Sequence, residues 1–426
     1  MADTAAHWVD NVLPQVPVRQ WVISFPPPLR FLLAYDAVAT SAVLGVFLGE
    51  VFRWLRRKAK RQLGLRRLTD GHPGAVTVTQ RAGGSLNLNL HAHSLVLDGV
   101  FVRNDDGEIR FHALPAPDKY ELAHIGWQVC LGTQKVLRKL GRDWELPTDE
   151  IQVEMETEPL LADCAAASMQ NLSLLSDRAG QRLLRLGTAP TSPPENQKQR
   201  PAHGFDLHAA VRIPATDRSR LERLCRYILR PPIAHDRLTL LDDGRVRLTL
   251  KRPWSDGTSY FVMHPLDLIA RLVPLVPPPR VNQIRYHGVL APNAKLRPLV
   301  VPQHQEEPGE QLVLPLDKKP RPADSSSTPD GFRPGKRARM SWAKLLNRTM
   351  DFDMETCPEC GAQMKIFGFV LERSEIDKLL DGSGESERDR DRTAHLPRGP
   401  PKPWQRCFGF VSRESSRRKK MRPQMG

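Results

Sequence analysis

From Leu86 to His93 the chain alternates strictly between apolar and polar residues, the two-residue period of a strand with unlike faces. Asn87, Asn89, His91 and His93 fall on one face, and Leu86, Leu88, Leu90 and Ala92 on the other. Between Thr216 and Arg230 the period changes, with Leu221, Leu224, Cys225 and Ile228 at the spacing of an amphipathic helix. Thr216 or Asp217 can cap its start, and Pro231-Pro232 ends it because the residue before proline is pushed out of the helical region. Ala75 to Gln80 reads as a strand, and Asn104 to Gly107 as a hairpin turn. Ala123 to Leu140 and Leu160 to Leu186 read as helices. Arg237 to Leu250 reads as a second hairpin around Asp242-Asp-Gly244, followed by a strand from Thr258 to Met263 and a helix from Pro265 to Leu272.

Hairpins interspersed with helices predict an α+β fold, an antiparallel sheet flanked by helices. Residues 1–70 read as a mainly helical, basic segment. Its apolar stretch Ala37 to Gly49 is too short to span a bilayer and is bracketed by Asp36 and Glu50, which favours a buried helix. Residues 71–300 form the expected core. A flexible linker rich in Pro, Gln, Glu, Ser and basic residues covers 301–340. A small module with a helix from Trp342 to Met350 occupies 341–380, and a disordered basic tail covers 381–426. No membrane anchor or secretion signal opens the chain, so a cytoplasmic, nucleoid-associated protein is expected.

Two patterns carry candidate chemistry. His91 and His93 sit two residues apart on one strand face, where two imidazoles can converge on one divalent cation if a third ligand arrives from elsewhere. A pair of satisfied surface histidines fits the same pattern. Tyr227 lies beside the apolar stripe of its helix, on the flank that carries Arg220, Arg223 and Arg230. A boundary tyrosine with solvated arginines is the bland reading; a nucleophile in a phosphate-binding setting is the functional one. His208, alternating in Gly204 to Ile213, is the first candidate for a third metal ligand, and Gln80 and Asn89 offer oxygen donors. His287 is a further candidate for metal or DNA contact.

Charge points to a polyanion partner. Lys and Arg number 63 against 48 Asp and Glu, a formal charge of +15. Residues 53–67 hold Arg53, Arg56, Arg57, Lys58, Lys60, Arg61, Arg66 and Arg67 with no acid, and Trp54 among them. Arg56, Arg57, Lys58 and Lys60 are therefore expected to contact phosphates. Cys357-Pro-Glu-Cys-Gly361 supplies two zinc donors where a structural site needs four, so Zn²⁺ at Cys357 and Cys360 is not expected; Cys407 and His395 are distant.

The His91-Ala-His93 strand, the segment Arg226-Tyr227 to Ala234 and the segment Arg285-Tyr-His-Gly to Pro292 together resemble rolling-circle transposases of the insertion-sequence-ninety-one type, in the His-hydrophobic-His (HUH) endonuclease superfamily. The resemblance runs from near Met1 to about residue 375. It implies an antiparallel sheet carrying the histidines with the tyrosine helix packed beside it. It also implies cleavage and joining of single-stranded DNA at transposon ends through a 5′-phosphotyrosine. In these terms Tyr227 is the nucleophile, and His91 and His93 hold a divalent metal, Mg²⁺ or Mn²⁺. Family members often carry two tyrosines on this helix. Here Arg223 and Pro231 occupy the neighbouring positions, leaving Tyr260 and Tyr286 as distant second candidates. The cysteine-rich zinc-binding opening of the family would precede the segment Asp3 to Gln20, so the chain is expected to lack it. A non-catalytic DNA-binding remnant and a rolling-circle replication initiator are the alternatives. A barrel amidohydrolase with His-x-His needs successive parallel strands, which the hairpins disfavour. The oligomeric state is left open.

Overall fold

A strand with two unlike faces needs a cover on each, and the computed structural model supplies both. It describes residues 1–104, 106–142, 158–187, 204–233, 235–279, 281–302, 340–357, 361–364, 372–374 and 377. The chain divides into two units, Met1–Pro334 and Gly335–Gly426. In chain order the first unit carries α1 (Ala2–Asn11), β1 (Val18–Ser24), α2 (Pro27–Tyr35), α3 (Ala37–Leu63), β2 (Gly74–Ala82), β3 (Leu88–Leu97), β4 (Gly99–Arg103), β5 (Ile109–Ala113), α4 (Lys119–Lys139), α5 (Pro159–Gln170), β6 (Leu184–Gly187), β7 (Asp206–His208), β8 (Arg212–Ile213), α6 (Arg218–Ile228), β9 (Leu238–Leu240), β10 (Val246–Thr249), β11 (Thr258–Met263), α7 (Pro265–Leu272), β12 (Ile284–Gly288) and α8 (Arg297–Val300). The fold is α+β with antiparallel sheets, as the pattern predicts.

The main sheet runs β12-β2-β3-β1-β7, with β8 also against β1, every pair antiparallel. Its two faces follow the pleat. Trp21, Ile23, Ala75, Leu88, Leu90, Ala92 and Val96 pack under α2 and α3 against Leu29, Val43, Phe47 and Val51. Val18, Val76, Val78, Leu95 and Leu97 pack on the opposite side against Trp8 and Leu13 and against Leu221, Cys225 and Ile228 of α6. A second sheet, β6-β11-β10-β9, closes on its own smaller core of Leu86, Leu183, Leu248, Leu250, Phe261 and Met263.

Asp36 caps α3 by accepting from the amides of Val38 and Ala39, and Gly64 ends it in the left-handed region at φ 66°. The apolar stretch 37–49 is only the first half of this 27-residue helix, and its burial continues through Phe52, Leu55 and Ala59. By length and composition it is the one helix among the described residues able to cross a bilayer, but half of that apolar window is buried inside the protein.

Within residues 1–70, beside α1, α2 and α3, Val18–Ser24 forms β1, which lies inside the main sheet between β3 and the short strands β7 and β8. Two expectations are corrected. Leu86 does not join the histidine strand. It sits at φ 58° in the turn ahead of it, which aims its side chain into the second sheet's core. Leu160 to Leu186 is not one helix. Asn171 takes the left-handed conformation that ends α5, and Asp267 of α7 then accepts from the amides of Leu174 and Leu175 and from Ser173, holding a loop in place of further helix.

The Arg285-Tyr-His-Gly segment is β12, and its side chains serve the framework. The Tyr286 hydroxyl accepts from Trp8 Nε1 at 3.0 Å. Gly288 has φ 61°, and any side chain there would run into the Pro73 carbonyl. His287 pairs with Ala75, on the sheet face away from His93, so it takes no part in a site with the other histidines.

In the second unit Ser341 caps α9 (Trp342–Met350) by accepting from the Lys344 amide, and the Cys357 carbonyl accepts from Gly361. Cys360, the linker 303–339, the loop 188–203 and the basic tail lie outside the described residues.

Two predictions follow from buried polar groups in the first unit. Asp98 accepts two bonds from Arg19, at 2.7 and 2.9 Å, and one from Arg212 at 2.8 Å, with Arg19 and Asp98 both buried. Asp98→Ala strands a buried guanidinium and is expected to cost about 3–5 kcal/mol in urea unfolding. Burial, with Arg285 adding to it, pushes the His287 imidazole down to about 4. The folded state therefore binds this proton less tightly than the unfolded chain. The stability it supports is complete above about pH 6.5 and drains away as pH falls toward 4, by up to roughly 3 kcal/mol. His287→Asn should flatten that part of the pH–stability curve, and an unchanged curve would refute the assignment.

Candidate active site

On β3, His91 pairs with Gln80 of β2 and Ser24 of β1, and His93 pairs with Val78 and Val22, so all six side chains share one face. The two imidazoles stand 5.0 Å apart between ring centroids. Burial, helped by the neighbouring His91, pushes His93 down to about 3, and burial likewise lowers His91. Both rings are neutral at physiological pH and keep a lone pair for a metal. The Asn89 carbonyl lies 2.7 Å from His91 Nδ1 and can only accept, so Nδ1 carries the proton and the lone pair sits on Nε2. Gln20 lies 2.9 Å from His93 Nδ1, and the orientation of its amide sets which ring nitrogen of His93 is protonated.

The tyrosine helix is seated on the same face. Asp217 caps α6 by accepting from the Arg220 amide, and Leu221, Cys225 and Ile228 press into the core. At its far end the Gln80 side chain donates to the Ile228 carbonyl, tying the last turn to the strand beside His91. Tyr227, 53% exposed, then opens into a cavity of about 610 Å³ that His91, His93, Asn89 and Gln80 also line. Arg81, Arg230, Arg237 and Lys251 line it too, and no acidic residue does among the described residues. The Lys251 ammonium lies 5.9 Å from the Tyr227 ring centroid, and burial followed by repulsion from Arg230 and Arg237 lowers its pKa. Arg237 is fixed in place by donating to the carbonyls of Thr249 at 2.8 Å and Gly84 at 2.6 Å.

The structure thus brings together His91, His93, Tyr227 and Arg230. Arg220 and Arg223 point to solvent along α6 and do not line the cavity. His208 is not brought to the pair. It pairs with Val22, itself paired with His93, so the full width of β1, about two strand spacings or roughly 10 Å, separates the two backbones. Among the described residues no three His, Cys, Asp or Glu side chains cluster closely enough to hold a metal. The remaining candidate donors on this face are two imidazoles and an amide oxygen. Asn89 Oδ1 is buried without a hydrogen-bond partner, on the face and in the cavity lining that hold both histidines. Tyr260 stands in the second sheet, with the Arg247 guanidinium 5.3 Å from its ring centroid, and Tyr286 is bound to Trp8; neither lines the cavity.

Of the basic run, Arg56 donates to the Gly71 carbonyl and Lys58 pairs with Glu121 at 3.0 Å, while Arg57 and Lys60 are exposed. Sequence reading did not single out Gln20, Arg237 or Lys251. Gln20 reaches His93 only through strand register, and the two cations arrive on a hairpin from the second sheet, so no local spacing marks them.

Cys225 reports on the seating of α6. It is fully buried, and burial with Glu222 nearby pushes its thiol up to about 12. Alkylation by iodoacetamide should be slow in the native protein and several-fold faster in Gln80→Leu, read by peptide mass mapping. Equal rates would mean that the Gln80 tether does not hold the helix.

Comparison with known proteins gives one positive result. A family model described as "Putative transposase" matches residues 74–297, more than half of the chain. No curated protein and no solved structure matches. The matched span runs from the first residue of β2 to the first of α8 and contains both histidines, the tyrosine helix and the cations of the cavity. The chain belongs to this transposase family, whose substrate is DNA.

Proposed function

We propose that the chain cleaves and rejoins single-stranded DNA at transposon ends by a rolling-circle route, with Tyr227 as the nucleophile. The observation that carries the reading is the shared cavity: Tyr227 opens beside the His91–His93 pair among cations, with no acid lining it among the described residues. Arg230 and Lys251 hold the non-bridging phosphate oxygens and aim the phosphorus at Tyr227 Oη. The Oη–P bond forms as the P–O3′ bond breaks, and the phenolic proton is lost to water while the departing 3′ oxygen gains one. The products are a 5′-phosphotyrosine and a free 3′-hydroxyl, which can prime replication or attack a second phosphotyrosine to join strands.

His91 and His93, with Asn89 Oδ1, are the residues that would hold a divalent cation. Bound there, Mg²⁺ or Mn²⁺ would supply positive charge to the scissile phosphate as its transition state develops. His91 contributes a fixed Nε2 lone pair. Gln20 keeps the His93 ring in orientation, and Gln80 fixes the distance between the tyrosine helix and the histidine strand. This agrees with the resemblance to insertion-sequence-ninety-one-type HUH transposases carried by the same residues.

The test is incubation of the purified chain with end-labelled single-stranded DNA from its genomic flanks and Mn²⁺, resolved on a denaturing protein gel. A labelled covalent adduct is expected for the wild type. It should be absent in Tyr227→Phe and reduced by roughly 10²-fold or more in His91→Ala. Mn²⁺ binding by calorimetry should weaken in His91→Ala and stay unchanged in Tyr227→Phe. An adduct that survives in Tyr227→Phe would sink the assignment.

A further inference from the structure

A second basic surface lies on the other side of the main sheet. Helices α3 and α4 pack side by side on its α2–α3 face, and two adjoining clefts of about 680 and 610 Å³ run along their seam, sharing Glu50, Arg53 and Gln128. From Ala42 to Arg61 on α3 the cleft extends about 30 Å at the helical rise of 1.5 Å per residue. At roughly 3.4 Å per nucleotide, that accommodates at most about eight.

Its charge is one-sided. Two acids line it, and both are already matched, Glu50 by Arg53 and Glu121 by Lys58. Arg57, Lys60 and Arg61 at one end and Lys135 and Lys139 at the other pair with no acid among the described residues. Aromatic surface accompanies the cations. Tyr120 is 74% exposed at the basic end, and His124, also exposed, follows one turn along α4; Trp127, 49% exposed, lies outside the lining of both clefts. Cations tracking a backbone beside exposed rings are what unpaired bases need, since each base can stack on a ring while its phosphate is neutralised. A duplex keeps its bases stacked on each other and would use only the cations.

We infer that the α3–α4 cleft is a second DNA site, which takes a single-stranded segment without sequence preference and stacks its bases on Tyr120. The inference rests on DNA being the substrate and not on the chemistry of Tyr227.

The test measures binding of a mixed-sequence single strand carrying 5-bromouracil to the full chain in the Tyr227→Phe background, by fluorescence anisotropy across a salt series and by photocrosslinking. Tyr120→Leu should weaken single-strand binding at least fivefold, roughly the loss of one stacked base, and leave duplex binding unchanged. Arg57→Gln/Arg61→Gln should lower the magnitude of the log–log salt slope by about 1.4. Lys135→Gln/Lys139→Gln probes the far end, and circular dichroism of each variant checks that it folds. Crosslinks should map to residues 119–139. Unchanged affinity in all three variants, crosslinks confined to other peptides, equal loss of duplex and single-strand binding, or displacement by polyglutamate as effective as by a single strand would each overturn the inference. Adduct formation by otherwise wild-type chains carrying the cleft substitutions separates the two readings: adduct with neutral cleft variants counts against the cleft alone, and its loss in Tyr227→Phe bears on the nucleophile alone.

Discussion

The molecule is organised by the two-residue period of β3. The same ten residues must present Leu88, Leu90 and Ala92 to a helical core and Asn89, His91 and His93 to a polar cavity, and a shift of one residue in register would exchange the two. The core face carries the weight, because α2 and α3 bury it almost completely. The polar face gains its properties by consequence. Held at the floor of a cleft under α6, the imidazoles lose water, which favours their neutral form.

The cavity puts opposite electrostatic demands on neighbouring groups. Its floor favours uncharged nitrogen and amide donors, while its walls carry Arg230, Arg237 and Lys251 at close quarters. The strain of that crowding is visible in Lys251, which burial and two neighbouring cations push toward losing its proton. An anion bound among these cations would relieve that repulsion.

Much of this was legible before any coordinates. The histidine strand, the tyrosine helix with its Asp217 cap, both hairpins and the helix from Pro265 to Leu272 follow from period, capping and turn residues. What escaped depends on partners far along the chain. No pattern singled out Val18–Ser24 as a strand inside a mainly helical segment; its Arg19 and Gln20 are both buried, one on Asp98 and one on His93. His208 reads as facing the pair because it does share their sheet face; only the strand order puts β1 between them. The basic run 53–67 appears uniform in sequence, but Glu121 and the Gly71 carbonyl, supplied from elsewhere, divide it into framework and surface.

The place of β1 bears on how the protein can be cut. Residues 74–297 carry the family likeness, but the strand that completes their sheet comes from outside them. Expressed alone, that span would leave β3 as a bare edge with unpaired amides and carbonyls along most of its length, and β7 and β8 with nothing to pair against. His93 would lose Gln20, Asp98 would lose Arg19, and the apolar face under α3 would stand open to water. Such a fragment would be prone to associate edge to edge with its own copies, so the recognisable stretch of this chain is not its folding unit.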